Sequence, residues 1–225
     1  EDKYHNVPGA EEYTHSIQTL SKARDTFHSI SELPEGAKVG IVGAGLSGIE
    51  LASELRESRS DLEIYLYDRG PRILRNFPEK LSKYVAKWFA KNNVTVVPNS
   101  NINKVEPGKI YNCDEPKDID LVVWTAGIQP VEVVRNLPID INSNGRVIVN
   151  QYHQVPTYRN VYVVGDCADL PHAPSAQLAE VQGDQIADVL KKQWLNEPLP
   201  DKMPELKVQG IVGSLGDKQG FAYIM

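Results

Sequence analysis

Gly43-Ala44-Gly45-Leu46-Ser47-Gly48 is a GxGxxG hexapeptide. Each glycine in such a run has a physical task. Gly43 allows a tight turn, Gly45 lets main chain approach a pyrophosphate, and Gly48 lets a helix pack closely on the strand before it. The anion then rests on the N–H groups of Gly45, Leu46 and Ser47, at the positive end of a helix dipole. A carboxylate, Asp68, follows about 20 residues past the last glycine, where an acid accepts hydrogen bonds from both ribose hydroxyls and repels a 2′-phosphate. The spacing favours NAD(H) over NADP(H). Arg69 either opposes that choice by cradling a phosphate or is a solvated surface charge. A second acid, Asp166, lies in Val161-Tyr162-Val163-Val164-Gly165-Asp166-Cys167-Ala168, a strand candidate running into Gly-Asp, with Pro174-Ser175-Ala176-Gln177-Leu178-Ala179 at a helix start. An Asp facing a helix N-terminus suits a polyol joined to an electron-rich ring; an ordinary turn followed by a capped helix reads equally well.

The elements around the first motif are those it requires. Val39-Val42 reads as a strand buried on both faces, Leu46 to Arg59 as a helix, and Leu62-Tyr67 as a second parallel strand, together a βαβ unit. Leu81, Tyr84, Val85, Trp88 and Phe89 recur at helical spacing behind Pro78 and predict a helix to Asn92 with a core-facing Trp and Phe. Leu20, Ala23, Phe27 and Ile30 predict an earlier helix over 21–33. Val94-Val97 and Ile119-Thr125 read as strands, Asn101-Val105 and Lys109-Asn112 as a hairpin about Pro107-Gly108, and Arg146-Val149 and Val161-Val164 as further strands. The last helix spans Ala176 to Trp194, with Ala179, Gly183, Ile186, Ala187, Leu190 and Trp194 on one face. Glycines alternating with Val208, Ile211-Val212, Phe221 and Tyr223-Ile224 read as the start of a hairpin that the chain does not finish.

The 225 residues carry 24 Lys+Arg against 30 Asp+Glu, a net charge of −6, and 41% are hydrophobic. Mean hydropathy is −0.37. These values describe an ordinary globular chain of one large or two small domains. The acidic balance argues against a nucleic-acid binder, which would normally show a basic stripe. Cys113 and Cys167 are too far apart in sequence for a CxxC motif, and with no close pair the usage suits the cytoplasm. None of the five histidines stands at ligand spacing from another ligand type, so no metal is expected.

Taken in order, Gly-Ala-Gly-Leu-Ser-Gly-Ile-Glu at 43–50, Tyr-Asp-Arg-Gly-Pro-Arg-Ile-Leu at 67–74, Trp-Thr-Ala-Gly-Ile-Gln-Pro at 124–130, Val-Gly-Asp-Cys-Ala at 164–168 and Ala-Gln-Leu-Ala at 176–179 resemble two-dinucleotide flavoproteins. The combination is most similar to type II NADH dehydrogenases, which pass electrons from NADH through FAD to a quinone. The motifs are shared with pyridine nucleotide-disulfide oxidoreductases and ferredoxin reductases, and the missing CxxC sets the chain apart from the disulfide reductases. The resemblance implies an α/β fold in which a Rossmann-like NAD domain, a parallel sheet with a hairpin insertion, interrupts an FAD-binding domain. It implies that Gly43, Gly45, Gly48, Glu50 and Asp68 face NADH, that Ala126, Gly127 and Ile128 form a turn closing over it, and that Glu50, the one residue given a catalytic role, stands near the nicotinamide. Asp166, following Gly165, would bond the FAD ribitol. The backbone near Gln177 and Leu178 would face the flavin ring, with the helix dipole favouring the reduced anion. Hydride transfer between two cofactors needs no protein acid or base.

Two departures shape the expectations. The family begins with another GxGxxG unit for the ADP half of FAD, whereas the single fingerprint here is at 43–48, and the chain starts at Glu1 without an initiator Met. The sequence therefore reads as an internal piece of a longer flavoprotein: a lead-in segment of the FAD domain (1–36), the NAD(H) domain (37–130), the distal FAD domain (131–203) and the start of a truncated C-terminal region (204–225). The isolated piece is not expected to hold FAD stoichiometrically. The Gln that the family carries shortly after Ala-Gln-x-Ala falls on Val181, with Gln182 next, so quinone is a candidate acceptor and not a settled one. Expected partners are NADH and an electron acceptor, with no nucleic acid, a homodimer as one assembly, and peripheral docking on the cytoplasmic membrane face through residues beyond Met225. The alternatives are an NAD(H)-binding module without flavin, acting as a sensor or partner-binding protein, and an oxidoreductase-like protein keeping the fold for assembly.

Overall fold

The computed structural model describes residues 1–171, 174–207 and 210–224. They form two compact units, one from Asp2–Ile128 with Gly210–Ile224, the other from the described residues within Gln129–Gln209 together with Glu1.

The first unit opens with a single turn of helix, α1 (Ala10–Tyr13), and α2 (Leu20–Ser31). Thr19 caps α2, its hydroxyl accepting from the Lys22 N–H. The α2 face turned inward carries Thr26 and Ile30, while Leu20 and Phe27, expected on the apolar face, are exposed. Thr26 is tolerated there because its hydroxyl donates to Ser16 O at 2.7 Å. Arg59 ties the end of α2 down through Ile30 O and Leu33 O while pairing with Asp61 at 2.7 Å.

The centre of this unit is the expected βαβ core. β1 (Lys38–Val42), α3 (Leu46–Ser58), β2 (Glu63–Tyr67), α4 (Glu79–Lys91) and β3 (Val94–Val97) follow one another. Next come β4 (Ile102–Glu106), β5 (Lys109–Asn112), β6 (Glu115–Asp118) and β7 (Leu121–Trp124). The parallel sheet has the order β3-β2-β1-β7, with Val39 opposite Ile64 and Leu121, and Ile41 opposite Leu66 and Val123. These strands are apolar on both faces because both faces are covered. On one side Ile49, Ala52 and Leu55 of α3 and Val85, Trp88 and Phe89 of α4 meet Ile41, Leu66 and Val123 in one cluster. On the other, Val42, Tyr67 and Trp124 meet Ile102, Val105 and Ile110 of the antiparallel sheet β4-β5-β6. β6 was missed in the sequence because Glu-Pro-Lys-Asp is entirely polar and exposed. It forms by pairing with β5, Lys109 opposite Asp118, and its register follows the turn at Cys113-Asp114, where both residues have positive φ.

The C-terminal residues correct the expectation of an unfinished hairpin. β10 (Gly210–Leu215) and β11 (Gln219–Ile224), the last two strands of the chain, pair antiparallel over their full length. Leu215 and Phe221 enter the main core cluster, so the ribbon packs on α3 as part of the first unit. Val208, also assigned to this stretch, lies outside the described residues.

The second unit has little regular structure: α5 (Glu132–Arg135), β8 (Val147–Ile148), a 3-10 turn at Gly165–Cys167, β9 (Ala168–Asp169) and the long α6 (Ala176–Trp194). β8 and β9 form a short parallel pair, Val147 opposite Ala168. The strand predicted at Val161–Val164 is absent as such: Tyr162 makes one isolated bridge to Gln154, and Val163 N–H donates to His153 O. Side-chain turns do the work of ladders here. Asn142 Oδ1 accepts from the N–H of Asn144 and of Arg146, and Asn150 Oδ1 from those of Tyr152 and Gln154. α6 buries Leu178, Gln182 and Val189, a stripe about one residue round from the expected face, and Trp194 is 78% exposed.

Candidate functional site

In the first unit the glycine loop joins β1 to α3 as the motif demands. Gly43 has φ 111°, and a Cβ there would come within 2.9 Å of Ala126 main chain. A Cβ at Gly48 would collide with the Gly43 carbonyl and reach 2.8 Å from Thr125 Oγ1. That hydroxyl already donates to Gly43 O at 2.9 Å, drawing the end of β7 against the loop. Among the described residues nothing lies within 4 Å of the Cβ position at Gly45, which is exposed. Gly45 is also the N-cap of α3, and among the described residues no side chain caps that terminus. Thirteen residues of aligned peptide dipole thus end in N–H groups that no described side chain caps, the arrangement that attracts a phosphate. Leu46 is half-buried and Ser47 exposed at this start.

Asp68 stands at the end of β2, half-buried, and its carboxylate is engaged within the protein. Oδ2 accepts from the Ala44 N–H at 2.9 Å and Oδ1 from the Gly70 N–H at 2.7 Å. Arg69 is exposed. Burial pushes the Tyr67 phenol, in the core before this acid in sequence, up to about 12. The turn at Ala126, Gly127 and Ile128 is held by the N-terminal segment. Lys3 N–H donates to Gly127 O, the His5 ring lies 2.7 Å from Ala126 O, and Asp2 bridges Ile128. Glu50, one turn into α3, is not an open carboxylate: Oε1 accepts from the Ser214 N–H at 3.2 Å. Two turns further along, Glu57 Oε2 accepts from the Asp217 N–H at 2.6 Å. The helix that starts at the glycine loop therefore also grips the C-terminal hairpin, a contact with no signal in the sequence because it depends on where that ribbon folds back.

In the second unit Gly165, with φ 72°, turns the chain into exposed Asp166. A shallow surface depression is lined by Arg146, Asp166, Ser175, Leu178 and Gln182 among others. Ser175 caps α6, Oγ accepting from the Leu178 N–H at 3.3 Å, and Gln177 is exposed at the first turn. Gln182 is 2% exposed, and its Oε1 accepts from the Gly165 N–H at 2.5 Å. The sequence sets Gln182 one residue past the place, Val181, where the family carries its Gln; the structure commits Gln182 to holding the Gly-Asp turn on the helix.

The profile of the pyridine nucleotide-disulphide oxidoreductases matches residues 1–183. The chain is 56% identical over 224 residues to "NADH dehydrogenase-like protein YutJ" of Bacillus subtilis (strain 168), covering 100% of this chain and 63% of that protein. It is 28% identical over 182 residues to "Type II NADH:quinone oxidoreductase" of Haemophilus influenzae, covering 72% of this chain and 41% of that protein. The chain thus spans less than two thirds of the length of these curated relatives. In fold it is like NDH2 from Plasmodium falciparum, solved in complex with NADH: TM-score 0.83 at 15% identity, over 100% of this chain and 68% of that one.

Proposed function

The chain belongs to the pyridine nucleotide-disulphide oxidoreductase family, and from that premise we propose that it is the NADH-binding portion of an FAD-dependent NADH dehydrogenase. One observation carries the reading: among the described residues no side chain caps the start of α3 and nothing fills the Cβ position at Gly45, with Asp68 at the end of the next strand. The N–H groups of Gly45, Leu46 and Ser47 would hold the diphosphate, and the Asp68 charge disfavours a 2′-phosphate. The 126–128 turn would close on the nucleotide, with Glu50, steadied by Ser214, on the nicotinamide side.

The residues of the second unit fit the ribityl half of a flavin. Exposed Asp166 offers acceptors to hydroxyls, Gly165 adds no bulk, and the first turn of α6 at Gln177 and Leu178 presents the positive end of its dipole. A bound flavin would supply the chemistry of accepting a hydride from NADH and releasing electrons singly or in pairs. The protein's part is to orient and to favour charge, without an acid or base of its own. The acceptor we propose is a quinone, a reading supported by the name of the Haemophilus influenzae relative. A peripheral place on the cytoplasmic membrane face belongs to the same proposal. Gln182, buried and bonded to Gly165, is not assigned to the acceptor.

The test is a titration of the 225-residue chain with NADH and NADPH, followed by nicotinamide fluorescence. Saturable binding that prefers NADH supports the reading, and absence of binding overturns it. Adding FAD and a soluble quinone then separates the enzyme from a nucleotide-binding module. A chain that binds NADH, stays colourless and reduces nothing is the module.

A further inference from the structure

The segment that enters the first unit passes through two successive left-handed residues, His5 at φ 52° and Asn6 at φ 57°. Both are types for which that conformation costs least, and two in a row persist only where contacts on either side hold them. Those contacts are visible. Lys3 O accepts from Trp124 Nε1 at 3.0 Å, the Tyr4 ring lies 6.0 Å from the Trp124 ring, and the Val7 N–H returns to Tyr4 O at 3.0 Å. The bend brings the His5 ring to the turn that follows β7. Its Nε2 lies 2.7 Å from Ala126 O, and since a carbonyl only accepts, that nitrogen carries the proton. The Lys3 N–H donates to the next carbonyl, Gly127 O, at 3.0 Å. Gly127 is at φ 118°, and a Cβ there would come within 3.3 Å of His5 Nε2.

Two successive carbonyls of the turn are thus held by one segment, an arrangement that the positive φ of Gly127 permits. In a trans peptide the N–H points opposite to the C=O, so the N–H groups of Gly127 and Ile128 are both directed away from that segment. Among the described residues neither finds an acceptor, and Gly127 is exposed. Adjacent N–H groups aimed to one side form a concave donor pair for an oxygen.

We propose that His5 is a positioning residue for the nicotinamide half of the dinucleotide: by holding Ala126 O it turns the Gly127 and Ile128 amides toward the ligand, where they donate to an oxygen of that half. This rests on the nucleotide reading above. The sheet order β3-β2-β1-β7 puts the turn on the side required. Asp68, with the ribose it would take, ends β2 on one flank of β1, whereas the 126–128 turn follows β7 on the other. A dinucleotide with its diphosphate at the start of α3 and its adenosine toward β2 extends its remaining half toward β7. The Gly43 Cβ position, 2.9 Å from Ala126 main chain, keeps turn and glycine loop in register. The physical advantage is pre-organisation, since a glycine turn oriented during folding does not have to be ordered on binding.

The experiment is calorimetric titration of NADH and ADP into the 225-residue chain as wild type, His5→Ala and His5→Gln. ADP has the adenosine and diphosphate but no nicotinamide half, so it reports the rest of the site and the folding of each variant. His5→Ala is expected to weaken NADH about three- to tenfold, the range of one hydrogen bond, while ADP stays within about twofold. His5→Gln keeps a donor and should recover most of that loss. NADH affinity unchanged in His5→Ala, NADH and ADP weakened alike, or no recovery in His5→Gln each overturns the role of His5 and leaves the nucleotide site standing. A wild type that binds neither ligand overturns the site and the role together. Hydrogen exchange on wild type gives a result that needs no variant to fold. The Gly127 and Ile128 amides are expected to exchange freely in the ligand-free chain and with ADP, and to slow with NADH. Exchange that NADH leaves unchanged overturns the assignment.

Discussion

The two glycine-acid turns of this chain lead into helices that begin differently. Among the described residues no side chain caps α3, which starts at Gly45 with open space at the Cβ position. α6 starts behind Ser175, whose hydroxyl already takes the Leu178 N–H. An uncapped N-terminus keeps its full donor set for a charged ligand, whereas a capped one has spent part of it internally and suits a neutral polyol or ring. The frames differ too. The first turn hangs from a four-stranded parallel sheet buried on both faces, the second from two strands of two residues and a set of asparagine turns. Among the described residues of the second unit, Val133, Ile148 and Trp194 remain exposed, while β1 and β7 at the centre of the first unit's parallel sheet are buried almost throughout. A rigid scaffold therefore stands behind the proposed diphosphate cradle, and a lighter one behind the Asp166 turn.

The largest expected effect probes that difference in frame. Phe89→Ala empties a fully buried ring position in the first unit and should cost about 3–5 kcal/mol in urea denaturation. Trp194→Ala, on the exposed end of α6, should stay within about 0.5 kcal/mol. Similar losses at both would erase the contrast. Next, Gly48→Ala drives a methyl group into the Gly43 carbonyl and should cost about 1–3 kcal/mol. Gly45→Ala should leave the denaturation midpoint in place and lower NADH affinity alone, because the new methyl meets only the ligand. A stability loss at Gly45 would mean that the cradle is not open. Ser175→Ala should cost about 1 kcal/mol by removing the α6 cap; an unchanged thermal midpoint would make the two helix starts alike.

The smallest effect is a pH dependence. Burial lowers the His15 pKa from its ordinary 6.5, opposed by Asp25. The folded state thus holds the ring neutral where the unfolded chain takes up a proton. Its contribution is complete above 6.5 and is lost as pH falls from there toward the lowered folded value. Thermal midpoints between pH 8 and pH 5 should fall less steeply in His15→Gln than in wild type, and parallel curves would remove His15 from the account.

Legibility in the sequence followed the same division. Around the first turn, alternation-free apolar runs and helical spacing fixed β1, α3, β2 and α4 to within a residue or two, because burial on both faces leaves an unambiguous pattern. In the second unit the apolar run at Val161–Val164 misled: strand-like composition forms a ladder only if a partner strand is present to pair with it. The α6 face was misjudged because Gln182, a polar residue, holds a buried position that the Gly165 N–H makes tolerable. The exposure of Trp194 and Phe27 shows the converse, since apolar residues at helical spacing reveal a stripe and not what covers it.

By itself the sequence determined the βαβ unit, the tasks of Gly43 and Gly48, and the family resemblance, since each depends on local sterics or on periodicity along the chain. Only the tertiary structure decided that Asp68 is bonded to the glycine loop, that Glu50 holds the Ser214 amide and that the last strands join the first unit's core. Those are contacts between residues far apart in sequence. Hydrogen-bond partners at that separation are chosen by how sheet, helices and ribbon stack, and no spacing rule along the chain encodes the choice.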